Sequence, residues 1–418
     1  MDSDVIVIGA GLAGLQSARR LEQDGRHVIV LEAADAVGGR IRTDIIDGYR
    51  VDRGFQVLNP AYPALYRDVD VPALDLQSFG VGAVVRDGQR STTLAHPLRH
   101  PRYALGTLLS AHTPPSDLVA LARWLGPTLL RVRRPVRSAT DETLRASLDR
   151  AGLTGRLRRD VLDTFLAGVL SDTSGGSSAR YVKGLLRYFV LGAPGLPRDG
   201  MQALPEQLAA GLRVPVRLDT AARGVHETSG GVEVTTDAGV LTARAVIAAA
   251  GPHEAPGLAD IPAPVMNGLT TWWFCTPESP LAGRFLMLDA SGPGGGPAGP
   301  IWNTAVMSEV APSYAPPGGH LVQATTLLDR PDGLASESEI RRDLERLYRT
   351  STDGWDVIAR HVVPHTLPAE PPPLVDRGPV WTGERTLVAG DQLETASIQG
   401  ALVSGVRAAD AIGRLLAG

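Results

Sequence analysis

Cysteine is all but absent from this chain: Cys275 stands alone among 418 residues. A single thiol excludes an internal disulfide and a cysteine-ligated metal cluster. The nine histidines show no close ligand spacing such as H-E-x-x-H, so no metal centre is expected. No uninterrupted apolar run reaches 18 residues, so no transmembrane segment is expected. A charged-then-apolar leader is also missing, because the apolar start reads as a strand, and the cytoplasm is the expected compartment. The net charge is only −4, which argues against a nucleic-acid partner. Lysine is nearly missing too: of 41 basic residues, only Lys183 is a lysine.

What is present is concentrated at the two ends. Val5-Ile6-Val7-Ile8 is a β-branched apolar run and reads as a buried parallel strand. It enters Gly9-Ala10-Gly11-Leu12-Ala13-Gly14, then a helical stretch over residues 12–24. A second apolar run, residues 27–31, ends at Glu32, 18 residues after Gly14. Each part of this strand–GxGxxG–helix–strand–acid pattern has a physical task. Gly9 permits the tight turn, Gly11 lets backbone approach a pyrophosphate, and Gly14 lets the helix pack on the strand. The helix N-terminus offers free N–H groups to phosphate, and Glu32 can accept from ribose hydroxyls. Gly38-Gly39-Arg40 follows, a glycine pair with a guanidinium suited to phosphate.

With those residues in view, the stretch from Asp4 to Pro60 resembles the flavin amine oxidase superfamily. That group includes monoamine oxidases, protoporphyrinogen oxidases and phytoene desaturases. The matching residues are Gly9 to Gly14, Leu31-Glu32-Ala33, Gly38-Gly39-Arg40 and Asp52-Arg53-Gly54. At the other end, residues 386–391 read as a strand closing on Gly390-Asp391, followed by a helix from Ser397 to Leu416. Ala401, Gly405 and Ala409 share one face of that helix, a stripe that lets it sit close to a sheet or a flat ring.

The resemblance implies an α/β fold. A Rossmann-type FAD-binding domain is assembled from residues 1–85, 200–255 and 375–418. A substrate-binding domain with a mixed β-sheet takes residues 86–199 and 256–374. It also implies non-covalent FAD held by Gly9, Gly11, Gly14, Glu32, Gly38, Gly39, Arg40, Gly54, Phe55, Gln56, Val225, Gly390, Asp391, Ile398 and Gln399. Val225 is expected against the adenine, Asp391 on the ribityl chain, and the N–H groups around Ile398-Gln399 on the flavin pyrimidine edge. Residues 194–205 resemble the superfamily's P-x-G-G-M-x-x-L-P return segment, with Asp199 where glycine is usual.

Residues 98–160 form a basic helical insert, with twelve Arg against five Asp plus Glu. A solvated face explains this, and so does contact with an acidic partner, an anionic substrate or a membrane surface. Three of the six tryptophans fall at Trp272, Trp273 and Trp302. The superfamily places a sheet above the flavin, which makes Trp273 and Trp302 candidate pocket residues. Residues 336–348 read as an amphipathic helix.

The implied chemistry is hydride transfer from a substrate C–H to flavin N5. No catalytic acid or base can be singled out. Simple amine oxidases of the superfamily carry a lysine after the strand that here is residues 246–250, and no lysine lies downstream of Lys183. That favours desaturation or oxidation of a bulky, partly apolar small molecule to C=C or C=N, with oxygen or another carrier reoxidising the flavin. Oxidation of an amine to an imine with hydrogen peroxide stays open. So does a non-enzymatic role like that of GDP-dissociation inhibitors, which share the fold.

Overall fold

The computed structural model describes residues 1–130, 141–374, 378 and 380–418. Two seven-stranded sheets organise the chain. The first runs Val380–Trp381, Thr386–Val388, Gly239–Ala248, Ser3–Ile8, Val28–Leu31. Its four longer members on this path are parallel. The hairpin of Ala222–Thr228 and Gly231–Thr236 joins it antiparallel at Gly239–Ala248. Val5, Ile6 and Val7 are fully buried, as a strand covered on both faces requires, and that is why they read as an unbroken apolar run.

The second sheet runs Asp356–Pro368, Met266–Thr276, His320–Leu327, Asn303–Val306, Leu286–Asp289, Gly82–Asp87, Arg90–Ala95. Only the pairing of Leu286–Asp289 with Gly82–Asp87 is parallel. The division expected at residue 85 falls inside Gly82–Asp87, which pairs wholly within this second sheet. One face is apolar and lies under the helix Glu337–Tyr348, where Ile340, Leu344 and Leu347 meet Trp272, Phe274, Val322 and Ala324. Ser336 caps that helix in a reciprocal box with Glu339, which fixes its start. The other face turns toward the first sheet: Trp273, Ala305 and Leu321 share a core with Val51, Leu58 and Tyr314.

The basic insert spends much of its charge internally. Arg156 bonds Asp160 at 2.8 Å and Asp87 at 2.7 Å. Arg158 pairs with Asp149 and Asp163, and Arg150 with Glu142. The run Arg131-Val132-Arg133-Arg134 lies outside the described residues. Among the described residues, no helix is long and apolar enough to cross a membrane.

The chain ends meet through their helices. The first helix, Leu12–Gln23, lies against the last, Ile398–Ala417. The stripe of small residues on the last helix therefore packs on a helix backbone: a side chain at Gly405 would run into the carbonyl oxygen of Ala13 and come within 2.9 Å of Gln16 Cβ. Gly413, on the same helix, has nothing within 4 Å of its missing Cβ. Gly405→Ala should therefore lower unfolding stability by about 1–3 kcal/mol. Gly413→Ala should be neutral or stabilise by up to about 1 kcal/mol. Urea unfolding of the two variants checks this, and equal effects would mean the helices can part freely.

Candidate functional site

The carboxyl edge of the parallel sheet is where the glycine loops gather. Gly9 N–H donates to Leu31 O at 2.7 Å, and Ala249 N–H to Ile8 O at 2.8 Å. Ala389 N–H donates to Ala248 O at 3.0 Å, so four strand ends are aligned. Gly9 has φ +101°, and a Cβ there would sit 2.6 Å from Ala249 O. A Cβ on Gly14 would run into the Gly9 carbonyl. Those two glycines are packed solid, which is the structural demand the pattern predicted.

Gly11 differs. Nothing lies within 4 Å of its missing Cβ. It precedes the first helix in extended conformation, and no side chain of its own caps the leading N–H groups of that helix. Gly39, with φ +60°, closes on it: its own Cβ would lie 3.4 Å from Gly11 Cα. Gly38 N–H donates to Ala10 O at 2.9 Å and ties the second loop to the first. Two stripped backbones thus border one gap at a helix N-terminus, a cradle that suits a phosphate.

Glu32 stands beside it. Its Oε2 accepts from Ala10 N–H at 2.7 Å and its Oε1 from Ala34 N–H at 2.9 Å. The carboxylate therefore holds both loops, with lone pairs left over for a hydroxyl. Arg40 reaches the other way. Its Nη2 bonds Asp391 Oδ1 at 2.5 Å and its Nη1 bonds Thr366 O at 3.0 Å. Gln56 Nε2 donates to Arg40 O at 2.8 Å. Gly390 N–H donates to Ser404 Oγ at 2.9 Å, and Ser397 Oγ caps the last helix at Gly400. Ile398 opens that helix, while the Gln399 side chain accepts from Ala64 N–H at 2.9 Å.

The remaining candidates divide. Gly54, with φ +103°, lies near Leu269 and Val363 of the second sheet. Phe55 meets Phe79 edge to face at 6.1 Å. Val225 pairs with Val234 and packs against the sheet cluster of Ile6, Ile8, Ile29 and Leu31. Trp273 is fully buried on the face toward the first sheet. Trp302 packs farther along the same side, with Ala167, Leu269, Leu327 and Val363. It precedes the strand Asn303–Val306 and edges a surface cleft of about 900 Å³ with the glycine loop 294–299.

Asp52 was quoted only as part of a motif, and its work is larger than that. Its Oδ1 accepts from Thr43 Oγ1 at 2.5 Å and Met201 N–H at 3.1 Å. Its Oδ2 accepts from Tyr314 O–H at 2.9 Å. Three segments distant in sequence converge on one buried carboxyl. Burial pushes its pKa up to about 6, against the pull of those donors. Asp199 lies nearby on the return segment and takes Arg50 at 3.3 Å, an exposed pair.

Comparison with known proteins points one way. Residues 12–413 match the family of flavin-containing amine oxidoreductases. AofH of Mycobacterium tuberculosis is 29% identical over 262 residues, 60% of this chain and 57% of that one. Putrescine oxidase of Kocuria rosea is 42% identical over 96 residues, 22% of this chain and 20% of that enzyme. This chain thus spans little more than half the length of such curated relatives, or less. Among solved structures, cyclohexylamine oxidase of Brevibacterium oxydans superposes with a TM-score of 0.72 at 18% identity, covering 100% of both chains.

The Asp52 carboxyl carries a pH signature. An unfolded Asp titrates near about 3.9, so below that pH the group is neutral in both states and its contribution is complete. Between there and about 6 the unfolded chain ionises while the folded one holds its proton, so stability is lost as pH rises. Two pH units correspond to about 2–3 kcal/mol. The stability of wild type relative to Asp52→Asn should fall by that order between pH 4 and 7, measured by urea unfolding at each pH. A difference that stays flat, or grows with pH, would contradict the buried neutral acid.

Proposed function

Because this chain belongs to the flavin-containing amine oxidoreductase family, we propose that it is an FAD-dependent oxidoreductase that removes a hydride from a C–H bond of a bulky, partly apolar small molecule. The observation that carries this is the contrast among the glycines. Gly9 and Gly14 are packed against backbone, whereas the missing Cβ of Gly11 meets nothing within 4 Å and that of Gly39 would touch only Gly11, which leaves room for a phosphate beside the helix start. With a pyrophosphate there, Glu32 would take a ribose of the FAD, and Arg40 and Asp391 would serve the rest of the dinucleotide.

When bound, FAD supplies the hydride acceptor, at N5 of its ring. The chain supplies the rest. The N-terminal end of the first helix holds phosphate charge, with Arg40 near it. The Ser397-capped start of the last helix offers N–H groups and a partial positive charge that favour an electron-rich ring. Binding is non-covalent: Cys275 sits in the second sheet, paired with Leu321 and Asp356, away from Asp391. Phe55, Phe79 and Trp273 supply apolar walls that exclude water from the reacting carbon. Phe79 also lines a surface cleft of about 890 Å³, a route for substrate entry. Reoxidation by oxygen or another carrier completes the cycle.

The Glu32 assignment is open to a direct test. Its carboxylate should make charge-assisted bonds to the ribose, each worth about 1.5–3 kcal/mol. Glu32→Ala should weaken FAD binding to the apoprotein roughly ten- to a hundredfold. Fluorescence titration with free FAD reads this, and an unchanged affinity would remove Glu32 from the site.

A second reading is amine oxidation, favoured by the likeness to putrescine oxidase and cyclohexylamine oxidase. The two readings part over small primary amines. No lysine stands on the strands that face the first sheet, so the feature that marks simple amine oxidases is missing. Benzylamine and tyramine should bleach the flavin slowly or not at all in anaerobic mixing, while a larger ring-containing or polyene compound bleaches it. Fast bleaching by benzylamine would turn the choice to the amine reading.

A further inference from the structure

The short helix Ala104–Leu108 and the turn before it, Pro101–Tyr103, show their apolar side to solvent. Successive helical residues lie about 100° apart, so Leu105, Leu108 and Leu109 share one face, and Tyr103 and Thr107 lie opposite. The Tyr103 and Thr107 side is pinned to the protein. Tyr103 meets Phe285 edge to face at 5.6 Å, and Thr107 Oγ1 accepts from Ala95 N–H at 3.0 Å. His100 Nε2 accepts from Val81 N–H at 3.1 Å and holds the turn in place. The leucine side is left bare: Leu105 is 69% exposed, Leu108 58%, Leu109 76%, and Leu98 just ahead of them 86%. A single exposed leucine is ordinary, whereas four within twelve residues on a pinned scaffold mark a contact surface.

The charge around this face has one sign. Residues 88–116 hold no Asp or Glu, and neither do residues 173–198. The two stretches meet where Arg99 Nη2 donates to Leu191 O at 3.2 Å, which brings the exposed Val190 and Leu191 beside the leucines. Arg102 stands at the margin with its guanidinium 4.6 Å over the Tyr103 ring. Among the described residues, neither Arg99 nor Arg102 has a carboxylate partner. Arg150, Arg156 and Arg158 of the same basic insert all have one. His100 and Arg102 also line the cleft of about 890 Å³, whose one acidic lining residue, Glu309, accepts from Gly283 N–H at 3.3 Å.

We propose that the face of Leu98, Leu105, Leu108 and Leu109 docks on an anionic lipid surface, with the leucines at the acyl boundary and Arg99 and Arg102 among the headgroups. An apolar face rimmed by arginine is what such an interface takes: the leucines leave water, and each guanidinium pairs with lipid phosphate. A second copy of this chain fits less well. A two-fold contact through this face would set Arg99 and Arg102 against their own copies, with no acid in either stretch to offset them. Leu98 stands nearly clear of its neighbours, which suits a soft interface better than a fitted one. Docked in this way, the protein brings the His100 and Arg102 edge of the cleft to the lipid, and an apolar molecule dissolved there reaches the cleft without crossing bulk water. That consequence, unlike the docking itself, rests on the function proposed above.

Co-sedimentation of the whole protein with lipid vesicles tests the docking. One set of vesicles is phosphatidylcholine alone, and the other is an equal mixture with phosphatidylglycerol. Wild type should bind the mixed vesicles at least about tenfold more tightly than the neutral ones, and added salt should weaken that binding. Leu105→Ser combined with Leu109→Ser should lower it by at least about tenfold, and Arg102→Gln alone by about fivefold. All three side chains are exposed, so the variants should melt at the wild-type temperature. Wild type that stays off the mixed vesicles, equal binding to both kinds, or full binding by the leucine double variant would each overturn the proposal. A concentration-dependent dimer that disperses in the double variant, with no vesicle binding, would give the face to a second copy and overturn it too. The same samples report on the cofactor by their colour. Protein that cannot be loaded with FAD would remove the proposed function and leave the docking standing, because sedimentation reads binding without turnover.

Discussion

The first helix has no room on either side, and the rest of the molecule is arranged around that. Gly14 presses on the carbonyl of Gly9, and Gly405 presses on the carbonyl of Ala13. Backbone therefore touches backbone at both flanks of Leu12–Gln23, and no side chain can be inserted at either contact. Residues nearly four hundred apart in sequence become neighbours because only glycine fits between them. Arg20 on the first helix also bonds Asp410 on the last at 3.1 Å. Ala13 faces Gly405 and Arg20 faces Asp410, so the two helices run in the same direction. Both N-terminal ends then lie toward one side of the fold, where their partial positive charges add. This packing favours negative charge on that side of the fold before any ligand-specific residue is considered, which is what the proposed dinucleotide needs.

Buried charge is organised in the same economical way. Asp52 collects Thr43, Met201 and Tyr314, and so ties the glycine-loop region to the return segment and to the approach of the second sheet. Arg40 and Asp391 close a second link between the ends of the chain. Removing one partner of such a pair costs more than the pair is worth, since the survivor stays buried or half-buried without compensation. The two links tie the glycine loops to the return segment and to the last helix, the elements that the proposed cofactor site draws on.

What was legible in the sequence was legible at short range. Gly9, Gly11, Gly14 and Glu32 fall within one strand–helix–strand unit, and their spacing alone states their geometry. The capped helix at Ser336 was readable for the same reason. Contacts set by tertiary pairing were not. Nothing near Arg40 names Asp391 as its partner, 351 positions away. The small stripe on the last helix was read as suited to a sheet or a flat ring, and the fold sets Gly405 against the backbone of the first helix instead. The boundary at residue 85 came with the resemblance, whose motifs stop at Pro60, and Gly82–Asp87 pairs in parallel with a strand about two hundred residues on. Trp302 read as a strand residue, and it lies one position before the strand Asn303–Val306 with its N–H on Thr325 O at 3.0 Å; its packing against Leu269, Leu327 and Val363 is set by tertiary pairing that no local pattern states.

The strands Met266–Thr276, Asn303–Val306 and His320–Leu327 carry no Asp, Glu, Lys or Arg, and that bears on either proposed chemistry. Hydride loss from a carbon beside nitrogen is assisted by the nitrogen lone pair, which an ammonium does not have. A carboxylate on those strands would hold an amine in its charged form by Coulomb attraction in a low dielectric. A sheet without one exerts no such pull, while burial disfavours the cation. Under the proposed function, a substrate between this sheet and the first would therefore be pressed toward its neutral form, with the reacting C–H free to approach the ring.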